Sequence, residues 1–162
     1  MMTCAKAPLP QTGEHYFEVT FDDSKGTRGD KLKKDSTNSC GMAVGLWCAP
    51  EPCVGTENAA SIMTFGKPFW GLRGDKDKDA LRVRGKGSGK VGLNSSGWAI
   101  SNGDTVGVLV NMDSASMTFF RDGHPIPDAI IRGFEKTDAR IAACCFTIMG
   151  SVTLTRKQRG EE

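Results

Sequence analysis

Cysteines and histidines are the side chains in this sequence that could carry catalytic or metal chemistry. Neither of the two histidines lies near a serine or cysteine in a recognisable nucleophile motif. Cys48 and Cys53 could begin a zinc site, but the only other pair, Cys144 and Cys145, would point to opposite faces of a strand. We therefore expect no enzyme, no metal site and no cofactor, and we interpret the cysteines as small buried hydrophobic residues.

A glycine-rich segment could hold a phosphate group. Residues 87–92 spell Gly-x-Gly-x-x-Gly, which cradles a pyrophosphate when a strand precedes it and a helix follows. Residues 93–97 would form a poor helix, and a phosphate-binding loop would need a hydroxyl side chain after Lys90, where a valine stands. We expect residues 85–92 to form a flexible hairpin loop, because so much glycine is costly to hold in regular structure.

Basic residues are concentrated between positions 73 and 90, where seven lysines and arginines are offset by three aspartates. RNA or phosphate binding through this stretch would pair the cations with stacked aromatic rings. Trp70 lies beside a glycine in a strand-like run and is expected to be packed, and the net charge of the whole chain is only +2. Nucleic-acid binding is therefore disfavoured, and a solvated charged face is the expectation.

Length and composition fit one globular domain over residues 1–162, with its core from about 8 to 156 and a charged tail over 157–162. The chain is 38% hydrophobic and 25% charged, which allows a core without disulfides. No apolar run approaches the roughly 20 residues of a membrane helix, and the first ten residues lack the apolar stretch of a signal peptide. We expect a monomer in the cytoplasm or nucleus, with no membrane contact.

Short runs of alternating apolar residues between glycines and prolines predict an all-β fold with almost no helix. Strands are predicted over residues 15–22, 41–48, 60–65, 69–72, 80–84, 106–112, 117–120, 139–148 and 151–155. The second strand is apolar on both faces and should be central, whereas residues 80–84 should form an edge strand. Tight turns are predicted at residues 74–79 and at the Asp-Gly pair 122–123.

Several segments, taken in order along the chain, resemble the SPRY family, the core part of the larger B30.2 domain. They are residues 13–19, 42–46, 69–72 with the Trp-Gly motif, 102–113 with the Gly-Asp signature, 117–126, 133–134, 142–143 and 151–154. The PRY extension of B30.2 domains is not seen. The resemblance implies a bent antiparallel β-sandwich, a concanavalin-like jelly roll, without a catalytic centre.

The resemblance also implies an interaction module, acting as an adaptor or complex subunit, that binds a peptide or partner protein through loops at one rim. Three loop positions in the family correspond here to Asn38, Ser39, Glu57, Asn58, Phe146 and Thr147. To these we add Arg73 and also Trp47, which alternates with Val44 and Leu46 and could line a rim pocket. A carbohydrate- or small-ligand-binding sandwich stays open as an alternative, and it would require an aromatic platform flanked by amides and acids.

Overall fold

Antiparallel strands account for all the regular structure that is described. The computed structural model describes residues 2–22, 42–51, 68–75, 78–84, 88–92, 105–144 and 151–157. The strands are β1 (Met2–Cys4), β2 (Glu14–Asp22), β3 (Met42–Cys48), β4 (Phe69–Asp75), β5 (Lys78–Arg84), β6 (Ser88–Gly92), β7 (Thr105–Asn111), β8 (Ser116–Arg121), β9 (His124–Arg132), β10 (Ala139–Cys144) and β11 (Ser151–Lys157). Within these ranges there is no helix, and thus none that could cross a membrane.

The strands form two sheets. Sheet A has the order β1-β10-β3-β4-β5-β6, and sheet B has the order β11-β2-β7-β8-β9. Every pair of neighbouring strands is antiparallel. The chain crosses between the sheets five times in the order of its strands, so most of its strand contacts join residues distant in sequence. The prediction of an all-β sandwich is confirmed.

The core lies between the facing surfaces of the two sheets. In sheet B, alternate residues such as Val108 and Phe119 are fully buried, and in sheet A the same holds for Leu46 and Leu72. All four belong to one apolar cluster that draws on both sheets. Burying a side chain of this size stabilises the fold by about 1.5–3 kcal/mol, so the alternation seen in the sequence is the main determinant of the sandwich.

Strand β3 is buried on both faces. Val44 and Leu46 face the core between the sheets. Ala43 and Trp47, which alternate with them, are 0% and 6% exposed on the other face of sheet A. The prediction of a central strand covered on both sides is confirmed, as is the prediction that Trp47 faces away from Val44 and Leu46.

The glycine-rich segment is regular where sequence reasoning expected a loop. Residues 88–92 form β6 and pair with β5, so the predictions of a loop over 88–92 and of an edge strand at 80–84 were wrong. The reason is that strand pairing uses main-chain groups, so a segment with few side chains to pack can still add to a sheet edge. Residues 88–92 of the Gly-x-Gly-x-x-Gly motif thus lie in a strand, whereas in a pyrophosphate site these residues form the turn that opens a helix.

The ends of the chain are more ordered than the sequence indicates. β1 pairs with β10, which places the start of the sheet well before residue 8, and it was missed because three residues carry no readable period. At the other end, β11 extends to Lys157, which lies opposite Tyr16 and two residues beyond the end of the predicted strand. The pairing of β1 therefore depends on the neighbouring strand and not on a pattern of its own, whereas β11 was predicted from its alternating residues.

Strand β9, which directly follows the turn at residues 122–123, was not predicted. Pro125 and Pro127 argue against a strand in the sequence, but proline is tolerated on an edge strand, and β9 is the edge of sheet B. The preceding turn is confirmed, because Asp122 and Gly123 have φ values of 48° and 82°, as a two-residue hairpin turn requires. The predicted turn at 74–79 is narrower, since β4 runs to residue 75 and β5 starts at 78. The predicted strand at 60–65 lies outside the described residues, as do residues 145–148 of another.

Gly45 and Gly71 lie opposite each other in the β3–β4 pair, where side chains would not fit. A Cβ at Gly45 would overlap the carbonyl oxygen of Trp70 and lie 2.6 Å from Gly71 Cα. In sheet B, a Cβ at Gly107 would overlap the phenol of Tyr16, which is the far end of a flexible side chain. The obstacle at Gly45 is therefore backbone, whereas the obstacle at Gly107 can move.

We predict that G45A lowers the free energy of unfolding by about 2–3 kcal/mol and that G107A lowers it by about 1 kcal/mol. The difference follows from the immobility of the backbone that a methyl group at position 45 would meet. Urea denaturation of both variants, followed by circular dichroism, measures the order. A G107A variant that is less stable than G45A would contradict this account of the two contacts.

Candidate functional site

Two of the eight predicted contact residues lie in described strands, and the structure does not bring them together. Trp47 is opposite Phe69, whereas Arg73 is opposite Ala43 in the same strand pair. Ala43 and Trp47 are four positions apart along β3, which corresponds to about 13 Å. The other six, Asn38, Ser39, Glu57, Asn58, Phe146 and Thr147, lie outside the residues that the structure describes.

The strand ends that flank the predicted loops lie at two ends of sheet A. β3 begins beside the end of β10, where Ala43 is opposite Cys144. These ends lead to the first predicted loop, which contains Asn38 and Ser39, and to the third, which contains Phe146 and Thr147; the second contains Glu57 and Asn58. At the other end of β3, the amide of Cys48 donates to the carbonyl of Pro68 (2.8 Å), and this pair flanks the second loop.

Directly after β3, three successive carbonyl groups are held by two side chains of sheet A. Arg140 donates from Nη1 to the carbonyl of Ala49 (2.6 Å) and from Nη2 to that of Pro50 (3.2 Å). The indole N–H of Trp47 donates to the carbonyl of Glu51 (3.0 Å). Residues 49–51, which we call the β3 loop, are thereby held in one conformation at the start of the second predicted loop.

Arg140 and Trp47 are cross-strand neighbours, so both side chains can reach the carbonyls of the β3 loop. Arg140 is only 7% exposed, and it also donates from Nε to the carbonyl of Lys6 and from Nη1 to that of Asp138, both at 3.3 Å. The hydrogen bonds seen for this guanidinium thus all go to main-chain carbonyls. Five rigidly arranged N–H donors make arginine suited to such bridging.

Sequence reasoning missed Arg140. A signal was available, because Arg140 stands between Ala139 and Ile141 in an otherwise apolar strand. Arginine is almost never buried unless it has partners, so a charge in such a run indicates either an exposed edge or a buried network. The choice between them depends on β10 lying between β1 and β3, which the sequence alone does not show.

A second surface lies on the outer face of sheet B. The rings of Tyr16 and Phe120 meet edge to face, with centroids 6.0 Å apart and an interplanar angle of 77°. The hydroxyl of Tyr16 donates to Oε1 of Glu18 (3.1 Å). Two rings at this angle do not form the flat platform on which a sugar ring stacks, although an acid is present beside them.

The environment of Tyr16 makes its hydroxyl hard to ionise. Burial, followed by the hydrogen bond to Glu18 and the charge of that carboxylate, raises the pKa of Tyr16 from 10.0 to about 12. The folded state therefore holds this proton more tightly than the unfolded state does. The resulting contribution to stability is present below pH 10 and is lost as the pH rises towards 12.

Cys48 is the thiol with the clearest environment. Cys48 is buried, as predicted, whereas Cys4 is partly exposed, so that prediction was wrong for Cys4; neither forms a disulfide. Burial, and then the charge of Glu135, raises the pKa of the Cys48 thiol to about 12, so this sulfur stays protonated and is a poor nucleophile. In the part of the chain that is described, no group of three His, Cys, Asp or Glu side chains is placed to hold a metal ion.

Comparison with solved structures identifies the fold. The SPRY domain of human HERC1 superposes with a TM-score of 0.58 at 10% identity, covering 99% of this chain and 84% of that one. The TRIM65 PSpry domain gives a TM-score of 0.57 at 16% identity, covering 96% of this chain and 71% of that one. A human SPRY domain gives 0.52 at 16% identity, covering 94% and 82%.

The chain therefore has the SPRY fold, and the resemblance drawn from its motifs is confirmed at the level of the fold. No family model matches the sequence, and no curated relative matches it. Identities this low are compatible with one architecture because the sandwich depends on the alternation of apolar residues more than on their identity.

Tyr16 is the only tyrosine in the chain, so its ionisation can be followed by ultraviolet absorbance. We predict one titration step with a midpoint near 12, and a lower midpoint in E18Q that still exceeds 10, because burial is the largest single cause of the raised pKa and remains in that variant. Circular dichroism on the same samples establishes that the fold persists. A wild-type midpoint near 10 in folded protein would contradict the described environment.

Proposed function

We propose that this domain is a non-enzymatic interaction module that binds a peptide or a partner protein through loops at the ends of sheet A. The observation that carries the proposal is the β3 loop, whose three successive carbonyls are held by Arg140 and Trp47. A loop held in this way loses little conformational freedom when a ligand binds, so more of the contact energy becomes affinity.

The fold supports the same function. A rigid sandwich with connecting segments at its ends is a general arrangement for binding by loops. The SPRY resemblance implies recognition of a peptide or partner at one rim, and the β3 loop lies at one end of sheet A. The similar structures contribute the architecture to this argument, while the choice of ligand depends on the loops of this chain.

We propose that the contact residues are those of the three loops, namely Asn38, Ser39, Glu57, Asn58, Phe146 and Thr147, together with Arg73. Trp47 belongs to the site in a different way. Its ring is 6% exposed and its N–H is taken by the carbonyl of Glu51, so we propose that it supports the β3 loop from below. We further propose a monomeric adaptor or complex subunit that works in the cytoplasm or nucleus.

The alternatives make different demands on the structure. A carbohydrate site would use an exposed aromatic face, and the edge-to-face pair of Tyr16 and Phe120 offers a poor one. RNA or phosphate binding would use the basic residues between 73 and 90 and would weaken steeply with salt. An enzyme would place perturbed acids or bases in a cleft, whereas the raised pKa values of Tyr16 and Cys48 reflect mainly burial.

The proposal predicts that the domain retains a protein or peptide and no specific glycan. The test applies one sample of the intact chain to a glycan array and to a peptide selection from a random library, with tight binders measured by calorimetry. We expect the double variant E57A/N58A to weaken the selected peptide by about tenfold or more, because truncating a central contact costs 1.4 kcal/mol or more. Specific glycan binding without any selected peptide would contradict the proposal.

The matched control is T153A/T155A, which alters two exposed side chains on β11 in sheet B. These threonines lie opposite Thr20 and Glu18 within sheet B and outside the three proposed loops, so their loss should change the affinity by less than about twofold. An E57A/N58A affinity equal to that of the control would exclude the second loop from the site.

A further inference from the structure

We propose that Arg140 is a positioning residue that couples the N-terminal segment, residues 2–10, to the β3 loop, so that the two segments become ordered or loosen together. The consequence for ligand binding rests on the proposed function, whereas the coupling itself does not. The inference comes from a single buried side chain that joins parts of the chain distant in sequence.

One guanidinium group contacts both segments. Its Nε donates to the carbonyl of Lys6, and its two terminal nitrogens donate to Ala49 and Pro50. A further bond to Asp138 holds the turn that leads into β10. Lys6 lies more than 40 positions from the β3 loop in sequence, yet both depend on the orientation of one planar group.

Coupling follows from the burial of this charge. Arg140 is 7% exposed, so an N–H group that loses its carbonyl partner is not simply returned to water. Leaving a buried charged donor unsatisfied is costly, and the guanidinium must turn or move outward to recover a partner. Because the N–H donors of Arg140 are rigidly linked, a movement that follows the loss of its hydrogen bond to the Lys6 carbonyl also disturbs its bonds to Ala49 and Pro50.

The N-terminal segment has a limited set of other contacts. β1 is three residues long and pairs only with β10 in the described part of sheet A. Beyond it, the amides of Ala5 and Leu9 donate to the carbonyls of Ile141 and Ala139, at 2.8 and 2.7 Å. The segment is therefore held by the same strand that carries Arg140, and it is a short edge element of the kind that opens below global unfolding.

The β3 loop is thus sensitive to events at the N-terminal segment. A partner that displaced β1 from β10 would remove the Lys6 carbonyl from Arg140 and loosen the β3 loop, which the same guanidinium holds. Conversely, a ligand that orders the β3 loop would tighten the N-terminal segment, since coupling between two sites is reciprocal.

The test is the R140K variant, with R132K as the matched control. Lysine keeps the charge but offers three donors on one atom, which cannot span carbonyls from separate segments in the manner of the arginine fork. Arg132 is exposed on β9 in sheet B, so the same substitution there leaves the hydrogen bonds of Arg140 intact. The readout is hydrogen exchange by NMR at the amides of Ala5 and Leu9 and at the indole N–H of Trp47.

We expect all three groups to exchange about tenfold faster or more in R140K, which corresponds to the loss of one charged hydrogen bond. The amide of Val108 in the core serves as an internal reference and should not change, and R132K should leave every rate within about twofold of the wild type. Faster exchange at Trp47 alone, with Ala5 and Leu9 unchanged, would overturn the coupling.

Two further measurements test the role of Arg140. If R140K does not fold, hydrogen exchange of the wild type is measured at increasing denaturant concentration. The exchange rates of the Ala5 amide, the Leu9 amide and the Trp47 indole N–H should then rise with the same dependence on denaturant. Different dependences would overturn the inference. With a peptide selected on the wild type, R140K should bind about tenfold more weakly, and an unchanged affinity would overturn its positioning role. Failure to select any peptide would count against the proposed function alone.

Discussion

Mutual burial of the inner faces of sheets A and B is the interaction on which the rest of this structure depends. It requires apolar residues at every second position of several strands, and it determines which strand ends lie at which end of the sandwich. Phe119 from one sheet and Leu46 from the other are both fully buried in the same cluster. Because the strands are immobilised by this core, the loops between them begin and end at defined positions.

At β3 and β10, sheet A is buried on its second face as well. Trp47 and Arg140 lie on that face, side by side across β3 and β10. Both side chains donate hydrogen bonds to main-chain carbonyls of the β3 loop, so this loop is fixed to the end of sheet A. In sheet B, the outer face instead carries the partly exposed pair of Tyr16 and Phe120.

Much of the sandwich can be read from the sequence, because the signals are local. The strands around Phe17 and Val108 alternate clearly, and the Asp122-Gly123 turn has a composition that requires positive φ. β1, β6 and β9 could not be read, since their pairing is decided by a neighbouring strand and not by their own residues. The role of Arg140 was hidden for the same reason: its partners are carbonyls of distant segments, and any sequence supplies carbonyls.

We propose that the sandwich acts as a fixed scaffold and that its loops at the ends of sheet A make the contacts. The most direct measurement is the change in backbone amide chemical shifts of the labelled domain when a peptide selected on it is added. The account predicts that the perturbed amides include the β3 loop and its neighbours at the end of sheet A, while those of β7 and β8 stay unchanged. Perturbations centred on Tyr16 and Phe120, with the β3 loop unaffected, would contradict it.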